Sequence, residues 1–192
     1  MVSAASTIVP RRIFLDTCAF QALADCGGFI FDADDLPEPA DFLPGTCPQI
    51  LMRSDAWEVL ESLRRIFRFN DRAQFDWIVS SGSLQEIDAG SDRDRSSYAR
   101  DIARHSSVCL IDNPPSEAAE KIAEYIAGPK CGFLSQKDKR LLVEAAAAGC
   151  DTFLTIEQRL PRVADSLLRK VPLLIATPVT LWATLEPHIK GL

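Results

Sequence analysis

Short runs of apolar residues alternate along the chain with stretches in which apolar residues recur every three or four positions. The runs read as buried strands, and the recurring spacing reads as helices that bury one face. Ile13-Phe14-Leu15 is the first predicted strand and ends at Asp16. Trp77-Ile78-Val79 is the second, Val108-Cys109-Leu110-Ile111 the third, Thr152-Phe153-Leu154-Thr155 the fourth and Leu173-Leu174-Ile175 the fifth. Helical patterns fall between them. Ser54 or Asp55 caps a helix with Trp57, Leu60, Leu63 and Phe67 at helical spacing and Arg64, Arg65 and Arg68 on its outer face. Ser83 caps a helix containing Glu86 and Ile87, and 92–104 forms a polar, Arg-rich, exposed helix. Ser116 caps a helix from Glu117 to Ala127, which Gly128-Pro129 stops; Ser135 opens another that ends at Gly149. Helices over Pro161–Arg169 and Val179–Leu185 complete the series. Strand followed by helix, repeated, predicts an α/β protein with a mainly parallel sheet of about five strands, layered α/β/α.

One stretch breaks this rhythm. Residues 24–50 hold Gly27, Gly28, Pro37, Pro39, Pro44, Gly45 and Pro48 together with Asp32, Asp34 and Asp35, which predicts a long irregular insertion, a lid or a binding loop. No internal repeat or linker divides the rest. With 192 residues, the expectation is one domain over 1–192.

Composition narrows the function. The chain is 47% hydrophobic, enough for a core. Its 21 Lys plus Arg against 27 Asp plus Glu leave a net charge of −6, so bulk charge does not drive it onto nucleic acid or anionic lipid. A polyanion would have to be met by a local basic patch. The six cysteines form no C-x-x-C and have only His105 and His188 for company, which argues against a zinc framework and for reduced thiols. Neither a signal-peptide pattern nor a bilayer-length apolar run is present, and a cytoplasmic protein is expected. The phosphate-binding glycine loops, G-x-S-x-G and H-E-x-x-H are all missing.

The acidic residues carry the chemistry. Asp16 directly follows the first strand, Glu86 lies in the helix after the second, Asp138 opens the helix before the fourth, and Glu157 follows that strand. Strand C-termini and neighbouring helix N-termini share one edge of a parallel sheet, where open α/β sheets hold their ligands. Carboxylates gathered there repel one another unless a cation lies between them, and hard divalent ions are the natural partners of oxygen ligands. Mg²⁺ or Mn²⁺ is therefore the expected cofactor, with water as the nucleophile in phosphodiester hydrolysis.

The segments I-F-L-D-T-C (13–18), W-I-V-S-S-G-S-L-Q-E-I (77–87) and the block from Leu134 to Glu157, in that order, resemble the PIN-domain nucleases. That family includes the toxin ribonucleases of toxin–antitoxin pairs. The resemblance implies a central parallel sheet flanked by helices, a Mg²⁺ or Mn²⁺ site and endonucleolytic cleavage of RNA. It matches Asp16, Glu86 and Asp138 to the first three family acids. It also implies an RNA substrate and, on the toxin branch, an antitoxin protein and a homodimer as partners. Glu157 stands where the family commonly has Asp, and the added methylene moves the carboxylate by roughly 1.5 Å. Cys18 replaces a small polar residue, often Asn or Ser, which alters the support of the ligands. The 24–50 insertion is longer than in the compact toxins. These departures motivate an alternative, a catalytically degenerate PIN-like domain that binds RNA or a protein. A phosphohydrolase of small molecules is a third possibility, which lacks the D-x-D expected after the first strand.

Structural roles compete at each position. Ser83-x-x-Glu86 and Ser135-x-x-Asp138 both fit capping boxes, and Thr155 either caps the following helix or orients a ligand. Asp151 reads as a turn residue at the opposite sheet edge. Arg64, Arg65, Arg68, Arg93, Arg95, Arg100 and Arg104 form either a phosphate-positioning surface or solvated helix faces. Trp57, Phe67, Trp77 and Phe153 are assigned to the core, and both histidines to the surface.

Overall fold

The computed structural model describes residues 9–32, 34–36, 50–88, 93–109 and 116–189, with the backbone alone for 86–88, 93–96 and 106–109. The protein is α/β. Strands β1 (Arg12–Leu15), β2 (Asp76–Ser80), β3 (Ser106–Cys109), β4 (Thr152–Leu154) and β5 (Leu174–Ala176) lie in the order β3-β2-β1-β4-β5, every neighbouring pair parallel. The helices are α1 (Thr17–Asp25), α2 (Ala56–Ala73), α3 (Ser81–Asp88), α4 (Arg93–Arg104), α5 (Glu117–Ala127), α6 (Gln136–Ala147), α7 (Ala164–Leu168) and α8 (Pro178–Ile189).

Alternation along the strands builds a core on each face of the sheet. Ile13 and Leu15 of β1 join Trp77, Val79 and Leu154 on one face, against Phe20 and Leu23 of α1, Leu60 and Leu63 of α2, and Leu181 of α8. Phe14 points the other way, with Ile78, Phe153 and Ile175, against Ile122 of α5, Leu141 and Leu142 of α6, and Leu167 of α7. Phe14 and Phe153, paired in register, stack with centroids 5.4 Å apart. These layers flank the sheet on both sides.

The strand order sets where a site can form. From β1 the chain moves outward through β2 and β3, then returns to the other side of β1 with β4 and β5. The connection leaving β1 begins with α1 on one face, whereas the one leaving β4 carries α7 on the other. A crevice therefore opens at the C-terminal ends of β1 and β4, the topological switch point of the sheet.

Several local expectations are corrected. The insertion expected over 24–50 begins as ordered helical backbone: a π-helical turn, Gly28–Asp32, buries Phe29 and Ile30 beneath α2. Its remainder, 37–49, lies outside the described residues. Gly27 permits that turn, since a Cβ there would stand 2.5 Å from the Tyr98 ring. The helix over 92–104 is not wholly exposed, because α4 buries Ala99 and Ile102. Neither Ser54 nor Asp55 donates a side-chain cap to α2; Asp55 spends its carboxylate on Arg53. The helix expected over Pro161–Arg169 is a 3-10 turn, Leu160–Val163, followed by α7. Trp57 is 56% exposed rather than core, edge-on to Phe29, while Phe67 stacks on Trp77 at 4.5 Å. No helix among the described residues is long and apolar enough to cross a membrane.

Candidate functional site

Asp16 occupies the switch point. Its backbone N–H donates to Leu154 at 3.0 Å as the last rung between β1 and β4, and its carbonyl accepts the Phe20 N–H at 2.9 Å as α1 begins. It sits at the N-cap of α1, yet its side chain makes no capping bond. Oδ2 instead accepts a 2.6 Å hydrogen bond from the Thr155 hydroxyl, and the residue is only 3% exposed. A buried carboxylate among other carboxylates holds its proton unusually well. Burial pushes Asp16 up to about 6; the Thr155 hydrogen bond opposes this, the charges of Glu157 and Asp138 add to it, and the Thr17 backbone opposes it again.

The charges of Glu157 and Asp138, distant in sequence, both act on Asp16. Glu157 follows β4 and is half-buried. Its N–H donates to the Thr155 oxygen at 3.0 Å, so this one hydroxyl fixes the backbone at Glu157 and the carboxylate of Asp16. Thr155 therefore braces the loop after β4 and the Asp16 side chain rather than capping a helix. Asp138 lies at the third position of α6 in a full capping box: Ser135 N–H donates to Oδ2 at 3.0 Å and Asp138 N–H donates to the Ser135 hydroxyl at 3.1 Å. Capping does not remove Asp138 from the site, because its charge still acts on Asp16. Helix α6 precedes β4, so its N-terminus meets the C-terminal edge of the sheet, and the positive ends of α1 and α6 both face the acids.

Glu86 lies on α3, directly after β2, but its side chain is outside the described residues. What anchors α3 is visible. Contrary to the expectation from sequence, Ser83 does not cap this helix; it lies inside it, buried, with its hydroxyl 2.6 Å from that of Thr17 at the start of α1. At the beginning of α3, a Cβ on Gly82 would stand 3.1 Å from the Arg140 guanidinium of α6. Helices α1, α3 and α6 therefore converge around Asp16.

Cys18 and Glu157, the two departures from the family pattern, touch each other. The Cys18 thiol donates to Glu157 Oε1 at 3.8 Å. Burial, helped by the charges of Asp16 and Glu157 and opposed by Lys137, pushes this thiol up to about 12. It is a protonated donor at neutral pH, not a nucleophile.

Among the described residues no group of three or more His, Cys, Asp or Glu stands close enough to enclose an ion. The donor set nonetheless suits a hard divalent cation: carboxylate oxygens only, with one buried acid destabilised by two like charges.

Asp151 is at the opposite edge, where Oδ2 accepts the Arg11 and Arg12 backbone N–H groups at 2.9 and 3.1 Å. Of the arginines singled out from the sequence, the side chains of Arg93 and Arg95 lie outside the described residues, and three of the others pair with acids of their own helices. Arg64 and Arg65 engage Glu61, and Arg104 engages Asp101. The arginines beside the acids are others: Arg53, Arg159 and Arg162 line a cavity of about 530 Å³ with Cys18, Ile156 and Glu157. Their only sequence signal is a pair of arginines three apart around Pro161. Compared with family models, curated proteins and solved structures, the chain matches none.

Proposed function

We propose that this protein is a metal-dependent endoribonuclease of the PIN type, acting in the cytoplasm, with Asp16, Glu86, Asp138 and Glu157 as metal ligands and catalytic acids. The observation that carries the proposal is Asp16, buried at the switch point with the charges of Asp138 and Glu157 acting on it. Like charges that act on one buried acid favour a divalent cation among them. Mg²⁺ or Mn²⁺, when bound, would polarise a phosphoryl oxygen and lower the pKa of water for in-line attack on the RNA phosphodiester.

The chain's own contribution is to hold the ligands. Thr155 locks the Asp16 carboxylate, the capping box locks Asp138, and Cys18 steadies Glu157 despite its longer side chain. The Thr17–Ser83 bond fixes α3, which carries Glu86. On the toxin branch of the family, an antitoxin and a second copy of the chain are the partners.

Asp16→Asn and Asp138→Asn both keep an acceptor for the native hydrogen bonds. Each is expected to fold and to lose Mn²⁺-dependent cleavage of RNA by about 10³-fold or more, the loss of some 4 kcal/mol of transition-state stabilisation. Activity persisting in both purified variants contradicts the proposal. The degenerate domain is the second reading, favoured by the open spacing of the described acids. It predicts RNA binding by the wild type with no response to Mn²⁺.

A further inference from the structure

An acidic protein that acts on RNA needs a local cationic surface to hold the strand, because its net charge of −6 repels the backbone. Arg64, Arg65 and Arg104, on the helix faces richest in arginine, pair with acids of their own helices and do not supply one. The segment after Glu157 does.

Pro161 sits in the first turn of the 3-10 segment Leu160–Val163, where its fixed φ suits the turn and its missing N–H costs nothing. Arg159 is the residue before that turn, and the Arg162 N–H donates to its carbonyl at 3.1 Å. A 3-10 turn has three residues per turn, so side chains three apart eclipse and project in one direction. Arg159 and Arg162 are both exposed, and both line the cavity that Glu157 also lines. No hydrogen bond or ion pair engages either guanidinium among the described residues. Arg53 closes the wall but is already committed: it forks onto Asp55 at 2.8 and 2.6 Å and donates to the Ile156 carbonyl at 3.0 Å. Glu157 is the one carboxylate among the lining residues. The cavity, about 530 Å³, falls within the range of small-ligand sites and admits about one or two nucleotides of a single strand, not a duplex.

We infer that Arg159 and Arg162 form a clamp for the sugar-phosphate backbone of single-stranded RNA, holding phosphate next to the one presented to the acid cluster. The inference rests on the ribonuclease reading for its ligand, but on its own geometry for the site. Guanidinium forks match phosphate oxygens two at a time, and the eclipsed pair is placed to take a single phosphate or two successive ones. The clamp adds no sequence preference, since phosphate contacts fix register and orientation only. Its neighbour Glu157 ties the clamp to the site, because a strand gripped there lies beside that acid.

The test measures binding of a fluorescein-labelled single-stranded oligoribonucleotide to the full chain in EDTA, across a salt series. Arg159→Ala/Arg162→Ala is expected to weaken binding roughly tenfold or more and to flatten the slope of log affinity against log salt by about 0.7 for each phosphate no longer neutralised. Arg159→Lys/Arg162→Lys should keep most of the slope while losing affinity through the missing forks. Arg68→Ala, an exposed arginine near the end of α2 that leads into β2, should change neither. Unchanged affinity and slope in the double alanine variant overturn the clamp, as does failure of the wild type to bind RNA. Arginine-dependent binding by a wild type that never cleaves with Mn²⁺ overturns the ribonuclease reading and leaves the clamp standing. Cleavage that is indifferent to both arginines does the reverse.

Discussion

Two aspartates flank the same pair of strands and meet opposite fates. Asp151 precedes β4 at the edge where strands begin, and its carboxylate is taken up by the two backbone N–H groups that lead into β1. Asp16 follows β1 at the edge where strands end, and it has the Thr155 hydroxyl, the Thr17 backbone and the charges of two other carboxylates. The residue type is the same and the distance along the strand is a few residues. What differs is the supply of donors. Strand starts leave amide N–H groups for an acid to satisfy, so an aspartate there becomes a structural brace. At the switch point the connections diverge to opposite faces, and the acids delivered there each keep a hydrogen-bond partner while the charges of Asp138 and Glu157 act on Asp16. A carboxylate that folding leaves unrelieved marks a place where a cation adds stability.

This contrast can be broken by pH. In metal-free protein, Asp16 sits at about 6 when folded against the ordinary 3.8, so the folded chain binds the proton more tightly than the unfolded one. The stabilisation is complete below 3.8 and is lost as pH rises through about 6. Urea unfolding of wild type and Asp16→Asn at pH 4 and pH 7 should therefore show the variant gaining up to about 3 kcal/mol on the wild type between the two. A difference that stays constant with pH would mean that Asp16 carries no such burden.

The opposite edge offers the smaller effect and the sharper control. Asp151→Ala strands two N–H groups and should cost about 2 kcal/mol in urea unfolding, at pH 6 as at pH 8. Mn²⁺ binding and RNA cleavage per folded molecule should not change. A loss of Mn²⁺ binding like that of Asp16→Asn would erase the distinction between the two edges.

Much of this was legible in the chain because it is local. The alternation Ile13, Phe14, Leu15 assigns residues to the two faces, and Asp16 stands out as an acid at the end of an apolar run. Ser135-x-x-Asp138 is a short-range signature, and the capping box is there. Ser83-x-x-Glu86 has the same spelling, but Ser83 pairs with Thr17, 66 residues away, and no local rule could weigh that partner. The Cys18–Glu157 contact spans 139 positions. Each looks like a defect alone, and only the fold shows that they meet. Trp57 has helical spacing with Leu60, yet it meets Phe29 only edge-on and stays exposed among the described residues, so tertiary context decides its place. The arginines mislead for the same reason: charge density along a helix is visible in sequence, while Arg159 and Arg162 gain their position from one 3-10 turn beside Glu157.

The central claim, that the acids at the switch point hold a divalent cation, is tested most directly by isothermal titration of Mn²⁺ into the metal-free wild type and Asp16→Asn, each then incubated with RNA. Saturable binding to the wild type, lost in the variant together with cleavage, is the predicted result. No binding to the wild type at millimolar Mn²⁺, or equal binding to both proteins, contradicts it.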